Sequence, residues 1–169
     1  LRLADYSYSQ FVGTYKPIST MSGEIAYKFV PGPFMRILVK AYKNIIDSTD
    51  TNGQIDQTKI RPFVLLVEEI NRAHTATVFG DVFQLLDRNK DGISEYEIQP
   101  SEDIRQYLAE KIGGSAEDYF SIQLPDNMLL HLSVGGILIT LELMMMRLQK
   151  IILEPRLKIS NCALHLMEM

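Results

Sequence analysis

The sequence predicts an α/β fold, because two short apolar runs are accompanied by segments with helical periodicity. Residues 63–67 form an uninterrupted apolar run of strand length, which is typical of a strand buried on both faces of a sheet. Residues 128–134 are a second candidate buried strand. Helical segments before, between and around these runs would flank the sheet.

The first half of the chain can be divided by composition. Residues 1–32 are rich in aromatic side chains and interrupted by Gly and Pro, so they predict loops and short strands. Pro33 suits the first position of a helix, and apolar residues recur at helical spacing from there to Ile45. Residues 47–59 are polar and contain Asn-Gly, which predicts an exposed loop.

Two further helices are expected between the apolar runs. Residues 75–86 place their apolar side chains on one stripe, which predicts an amphipathic helix. A second helix should run from Ser101, a good N-cap residue, to about Ile112. Gly113 is a natural stop for that helix.

Composition bounds the class of protein. The 169 residues suffice for one domain with a core, and the net charge of −4 gives no broad reason to expect binding to nucleic acid or an anionic membrane, although a local basic patch stays open. The lone Cys162 cannot form an internal disulfide, and no secretory signal opens the chain, so a cytoplasmic location is expected. The first residue is Leu1, which we interpret as a fragment or a processed start.

The most informative segment is the end of the first apolar run, where Glu68 and Glu69 follow directly. The carboxyl edge of an open α/β sheet is where ligands bind. In a nucleotide hydrolase the first acid holds Mg²⁺ through water, and the second orients or activates the attacking water. The plain alternative is a strand that ends in two solvated acids.

The surrounding residues favour the hydrolase. Residues 68–73 read Glu-Glu-Ile-Asn-Arg-Ala and resemble the Walker B segment of McrB-like and MoxR-like AAA+ proteins, whose usual form is Asp-Glu-Ile-Asn-Arg. The same resemblance continues, in the family's order, at residues 6–13, 31–34, 78–88 and 124–128. It implies a partial P-loop NTPase (AAA+) sheet over residues 1–132, with the Walker B strand near 63–69.

The resemblance assigns roles to individual residues. Glu68 stands where the family usually has a metal-associated Asp, and its extra methylene puts the Mg²⁺ geometry in question. Glu69 matches the catalytic glutamate. Asn71 and Arg72 match the Asn-Arg pair, whose Arg works at a subunit boundary; the alternative for Arg72 is a surface salt bridge.

The implied activity is hydrolysis of ATP, or of GTP, with Mg²⁺ as cofactor and with remodelling of a partner. The resemblance also implies a homo-oligomeric ring, a hexamer, and a nuclease or DNA partner, with no membrane association. The phosphate-loop pattern Gly-x-x-x-x-Gly-Lys-[Ser/Thr] is absent from the sequence, so no nucleotide-binding residues can be named. The chain by itself is therefore expected to be inactive.

Residues 133–169 do not resemble the family. After residue 130 the family would supply a Lys-Arg-Arg-Trp arginine-finger segment, which this sequence lacks. One permissible coding of residues 131–150, read one frame over, gives Phe-Lys-Arg-Arg-Trp-Asp-Phe-Asp-Tyr-Ile-Gly-Ile-Asp-Asp-Asp-Ala-Ala-Ala-Lys, which resembles that segment and the family residues after it. We interpret the tail as a frame-shifted reading of the parent gene. The alternative is an unfamiliar C-terminal helix.

A rival function is a calcium-binding module. Residues 87–92 look like the first half of an EF-hand loop. The twelfth position, which should carry a bidentate Glu, is Ile98, and Glu97 falls one residue early. A polar turn leading into a hairpin accounts for the same residues.

Overall fold

A computed structural model of the chain describes residues 6–21, 23–68, 75–134 and 137–139. The chain divides after Ile139, and residues 140–169 lie outside the described residues. The interpretation of residues 133–169 as a frame-shifted tail therefore falls mostly outside them. The described residues form a mixed α/β structure with a two-stranded and a three-stranded sheet.

The segment expected to contain short strands begins with a short helix and then forms a hairpin. Helix α1 spans Tyr8–Phe11, and strands β1 (Gly13–Ser19) and β2 (Ile25–Pro31) pair antiparallel. Gly13 has a φ of 145°, and a Cβ there would lie 2.4 Å from the Phe29 ring. Only glycine fits this junction, because Phe29 packs against the chain at that point.

The predicted helix beginning at Pro33 is confirmed. Helix α2 spans Pro33–Asp47, with Pro33 in its first turn and Gly32 at the N-cap. The proline ring fixes φ at a helical value, and the missing N–H would have no helical partner in that turn. The helix buries one face in the core; the residues on that face are Phe34, Met35, Leu38, Val39 and Ala41.

Both predicted strands are confirmed, and they are neighbours. Strand β3 (Phe63–Val67) pairs in parallel with β4 (Met128–Val134), and β5 (Ile137–Ile139) adds to β4 antiparallel. The prediction that the first strand is buried on both faces is wrong, because Val64 and Leu66 are 38% and 40% exposed. Side chains alternate between the faces of a strand, and only the face that carries Leu65 and Val67 meets the core.

The predicted helix over residues 75–86 forms as two shorter pieces. Helix α3 spans Thr75–Phe79 and a 3₁₀ helix spans Gly80–Leu86. Gly80 has a φ of 49°, in the left-handed region, so the α-helix cannot continue through it. The change of helix type leaves Phe83 52% exposed instead of on the apolar stripe.

The predicted helix after Ser101 is confirmed as α4, Glu102–Ile112, followed by a 3₁₀ turn at Ala116–Tyr119. Ser101 occupies the N-cap position, although its side chain makes no capping hydrogen bond. Gly113, with a φ of 114°, ends the helix as expected. The buried face of α4 packs into the same core as α2, the strands and the 3₁₀ helix.

Candidate functional site at the carboxyl end of strand β3

Glu68 lies directly after β3, at the edge of the sheet where the parallel strands β3 and β4 both end. Val67 is opposite Leu132, so the next residue along β4, Ser133, lies beside Glu68. Ser133 is 5% exposed, whereas Glu68 is half-buried. Parallel pairing therefore places one partly accessible carboxylate at the edge of the sheet where α/β proteins bind ligands.

The other three predicted site residues are Glu69, Asn71 and Arg72. They fall within residues 69–74, which lie outside the described residues. The structure thus positions the strand and the first acid of the motif. The catalytic role of Glu69 and the boundary role of Arg72 stay predictions.

The fit of a metal ion can be judged from the side chains around Glu68. Among the described residues, no three side chains of His, Cys, Asp or Glu gather closely enough to hold a metal ion. A single carboxylate such as Glu68 suffices for Mg²⁺ only in sites of the kind found in nucleotide enzymes. There one or two carboxylates hold the ion, and water and the substrate phosphates are the other ligands. Glu68 is thus compatible with Mg²⁺ brought by a nucleotide.

At the other end of the strands, where β3 and β4 begin, the buried side chain and backbone of Asn127 join the sheet to helix α2. The Asn127 side-chain amide donates to the carbonyl of Ala41 (3.0 Å), and its backbone carbonyl accepts from the N–H of Phe63 (2.7 Å). Asn127 is 5% exposed. One residue therefore fixes the start of β3, the start of β4 and α2 relative to each other, and so sets where β3 ends.

A second anchor, Arg88, was not recognised in the sequence. Its guanidinium donates to the carbonyl oxygens of Gly92 (3.1 Å), Leu124 (2.9 Å), Pro125 (3.1 Å) and Met128 (2.8 Å). The group closes the polar turn after the 3₁₀ helix and holds it against the start of β4. Three of its four acceptors lie 36 to 40 residues along the chain, so no local pattern could have indicated them.

The loop with EF-hand character is a compact turn. The backbone N–H groups of Asp91 and Ile93 donate to Asn89 Oδ1 (2.9 and 3.2 Å), so a prospective calcium ligand is engaged by the backbone. Ile98, at the closing position, is 8% exposed and pairs with Ile122. An apolar, buried residue at that position cannot supply the bidentate carboxylate that a calcium loop needs.

We therefore expect no specific calcium binding at residues 87–98. Isothermal titration of the chain with Ca²⁺ should give no heat of saturable binding, and tyrosine emission should not change. Asp87→Ala is the matched variant, because Asp87 is the first ligand position of the loop. A dissociation constant below about 1 mM, the weak end of known calcium modules, that Asp87→Ala abolishes would contradict this prediction.

These features define a mixed α/β protein in which Glu68 and Glu69 follow the first of two parallel strands. No family model matches the chain. It is similar to the type II restriction enzyme BsuMI component YdiS of Bacillus subtilis (strain 168), with 42% identity over 125 residues. The match covers 62% of this chain and 32% of the relative, so the chain spans about a third of the relative's length.

Membrane association was not expected from the sequence. Among the residues that the structure describes, no helix combines the length and the apolar character needed to cross a membrane.

Proposed function

We propose that this chain is part of an AAA+ nucleoside triphosphatase that hydrolyses ATP, or GTP, with Mg²⁺ and works within a restriction system. The observation that carries the proposal is the position of Glu68 at the carboxyl end of β3, followed in sequence by Glu69, Asn71 and Arg72. A parallel strand that ends in this acidic motif matches what such a hydrolase needs at its metal edge.

The two acids would have different tasks. Glu68, which is half-buried, would hold the metal through water. Glu69 would orient the attacking water and accept its proton. Mg²⁺, when bound with nucleotide, neutralises charge that develops on the phosphate oxygens. The phosphate loop would have to come from residues beyond these 169.

The similarity to a restriction enzyme component supports a setting in which this protein works with other subunits. In that setting the proposed partners are a nucleotide, further copies of the chain in a homo-oligomeric ring and a nuclease or DNA. Arg72 would act at the boundary between copies. An NTPase of this kind would couple nucleotide hydrolysis to remodelling of one of these partners.

The proposal is tested at Glu68 in a version of the protein that is extended to include a phosphate-binding loop. Glu68→Ala should weaken Mg²⁺-dependent nucleotide binding by roughly tenfold, as is usual when a partner of bound metal is lost. Binding measured in excess EDTA should not change, because Glu68 acts through the metal. A fluorescent nucleotide titrated with and without Mg²⁺ gives both values.

Glu68→Asp is the matched variant, because it keeps the charge and shortens the side chain to the acid that the resembling family usually has. It should retain or improve Mg²⁺-dependent binding. If both substitutions leave binding unchanged, Glu68 is not near the metal, and the proposed function loses the observation on which it depends.

A further inference from the structure

A groove rich in positive charge lies between helix α2 and the segment that leads into β3. Its volume is about 500 Å³. Four of the side chains that line it are basic: Lys40, Lys43, Lys59 and Arg61. Asp47 is the only carboxylate in the lining, which leaves an excess of three positive charges. This basic groove stands out in a chain whose net charge is −4.

The cations of the basic groove are available for a ligand. Lys40 and Lys43 are exposed, and within the described residues no carboxylate forms an ion pair with either. Lys59 contacts Asp56 (3.0 Å), but its side chain is 65% exposed. An exposed ion pair of this kind contributes little and exchanges readily. With Asp47 and Asp56 both counted against the four cations, an excess of two positive charges remains in the groove.

The groove is also held in shape. The Asn44 side chain donates to the carbonyl of Lys59 (3.1 Å) and accepts from the backbone N–H of Arg61 (2.7 Å). It also accepts from the side-chain amide of Asn127 (3.4 Å), which lies in the core. The backbone of the two basic loop residues is therefore fixed against the helix that carries Lys40 and Lys43, so the groove does not have to form on binding.

The spacing of the cations suits a linear polyanion. Lys40 and Lys43 are one turn apart on α2, and exposed Arg36 lies one turn before them. These three side chains span about 10 Å along the helix, at about 1.5 Å per residue. Phosphates along one strand of a duplex advance by about 3.4 Å each along its axis. The three helix cations, about 6 and 4.5 Å apart along the helix axis, therefore cover the length of about three phosphate steps without facing each phosphate in turn.

We propose that the basic groove binds the phosphodiester backbone of a nucleic-acid duplex, independently of base sequence. Contacts from ammonium and guanidinium groups to phosphates fix position and carry no base information. An acidic protein is the less suitable partner, because protein interfaces have an apolar core and Phe63 is the only apolar residue in the lining.

The basic groove is separate from the nucleotide site. Phe63 begins β3 at the groove, whereas Glu68 follows the other end of the strand, about 16 Å away at about 3.3 Å per residue. The inference rests on the proposed function for its choice of DNA as a partner, but it does not depend on nucleotide hydrolysis. A binding assay without nucleotide can fail or succeed separately from the proposed function.

The test is fluorescence anisotropy of a labelled DNA duplex, titrated with the full chain at several salt concentrations without nucleotide. Contacts from the four cations predict a slope of roughly −3.6 in log K against log salt, so affinity should fall roughly a hundredfold between about 50 and about 200 mM salt. Lys40→Ala with Lys43→Ala should reduce the slope by roughly two and weaken binding by roughly tenfold or more. Lys40→Arg with Lys43→Arg should restore binding.

The matched control is Lys90→Ala with Lys111→Ala, which removes two exposed lysines outside the groove. It should bind the duplex with nearly unchanged affinity, and circular dichroism should show that all variants are folded. Equal losses in the groove and control variants would overturn the proposal, as would an unchanged affinity in both. Competition experiments at matched charge concentration identify the ligand. Displacement of the duplex by polyglutamate would favour an acidic protein as the ligand, and displacement by inorganic phosphate would favour a small anion. Either result would overturn the proposal.

Discussion

Glu69→Gln should remove most nucleotide turnover and leave nucleotide binding intact, in a version of the protein extended to include a phosphate-binding loop. The amide keeps the size of the side chain but cannot accept a proton from the attacking water. Loss of a positioned general base typically costs about 10² to 10⁴ in rate. The measurements are kcat from phosphate release and Kd from titration with a fluorescent nucleotide.

The control for this experiment is Glu110→Gln, which makes the same chemical change on the exposed surface of α4. It should leave both kcat and Kd unchanged. Turnover by Glu69→Gln at the level of the unmodified protein would contradict the catalytic role. Loss of binding together with turnover would instead place Glu69 in nucleotide binding or folding.

The elements that were predicted correctly carry strong local signals. Helix α2 begins where Pro33 allows it to, and α4 is preceded by Ser101 and ended by Gly113. Strand β3 is an uninterrupted apolar run, and β4 is apolar at five of its seven residues; short runs of this kind favour a strand. In each case the residues within the element decide its type.

The departures arise where distant residues decide the outcome. The break at Gly80 depends on its left-handed conformation, with the Tyr8 ring 3.0 Å from the position that a Cβ would occupy. The exposure of Val64 and Leu66 depends on which elements pack on each face of β3. An apolar stripe or run in the sequence contains neither kind of information.

The same distinction applies to the candidate functional residues. Glu68 could be found from the sequence because its place depends only on the end of an apolar strand. The basic groove could not, because Lys43 on α2 and Arg61 before β3 meet only in the folded chain, where the Asn44 side chain accepts from the Arg61 backbone N–H. Overall composition obscured it further, since a net negative chain gives no indication of a local positive surface.

Arg88→Ala is expected to lower the free energy of unfolding strongly. The half-buried guanidinium donates to four backbone carbonyls, and two of them belong to Leu124 and Met128, which are fully buried. Hydrogen bonds from a charged group contribute about 1.5 to 3 kcal/mol each in net, and buried acceptors left without a donor add to the cost. Because the bonds share one side chain, we expect a total of about 3 kcal/mol.

Thermal unfolding followed by circular dichroism measures this loss, and for a domain of this size about 3 kcal/mol corresponds to a fall in Tm of about 6 to 12 °C. Arg88→Lys should lie between the alanine variant and the unmodified protein, because an ammonium cannot span acceptors arranged around a planar guanidinium. Arg36→Ala is the control, since Arg36 is exposed on α2 and its loss should stay within about 0.5 kcal/mol. If Arg88→Ala and Arg36→Ala unfold at the same temperature, the contacts of Arg88 do not stabilise the junction between the turn and β4.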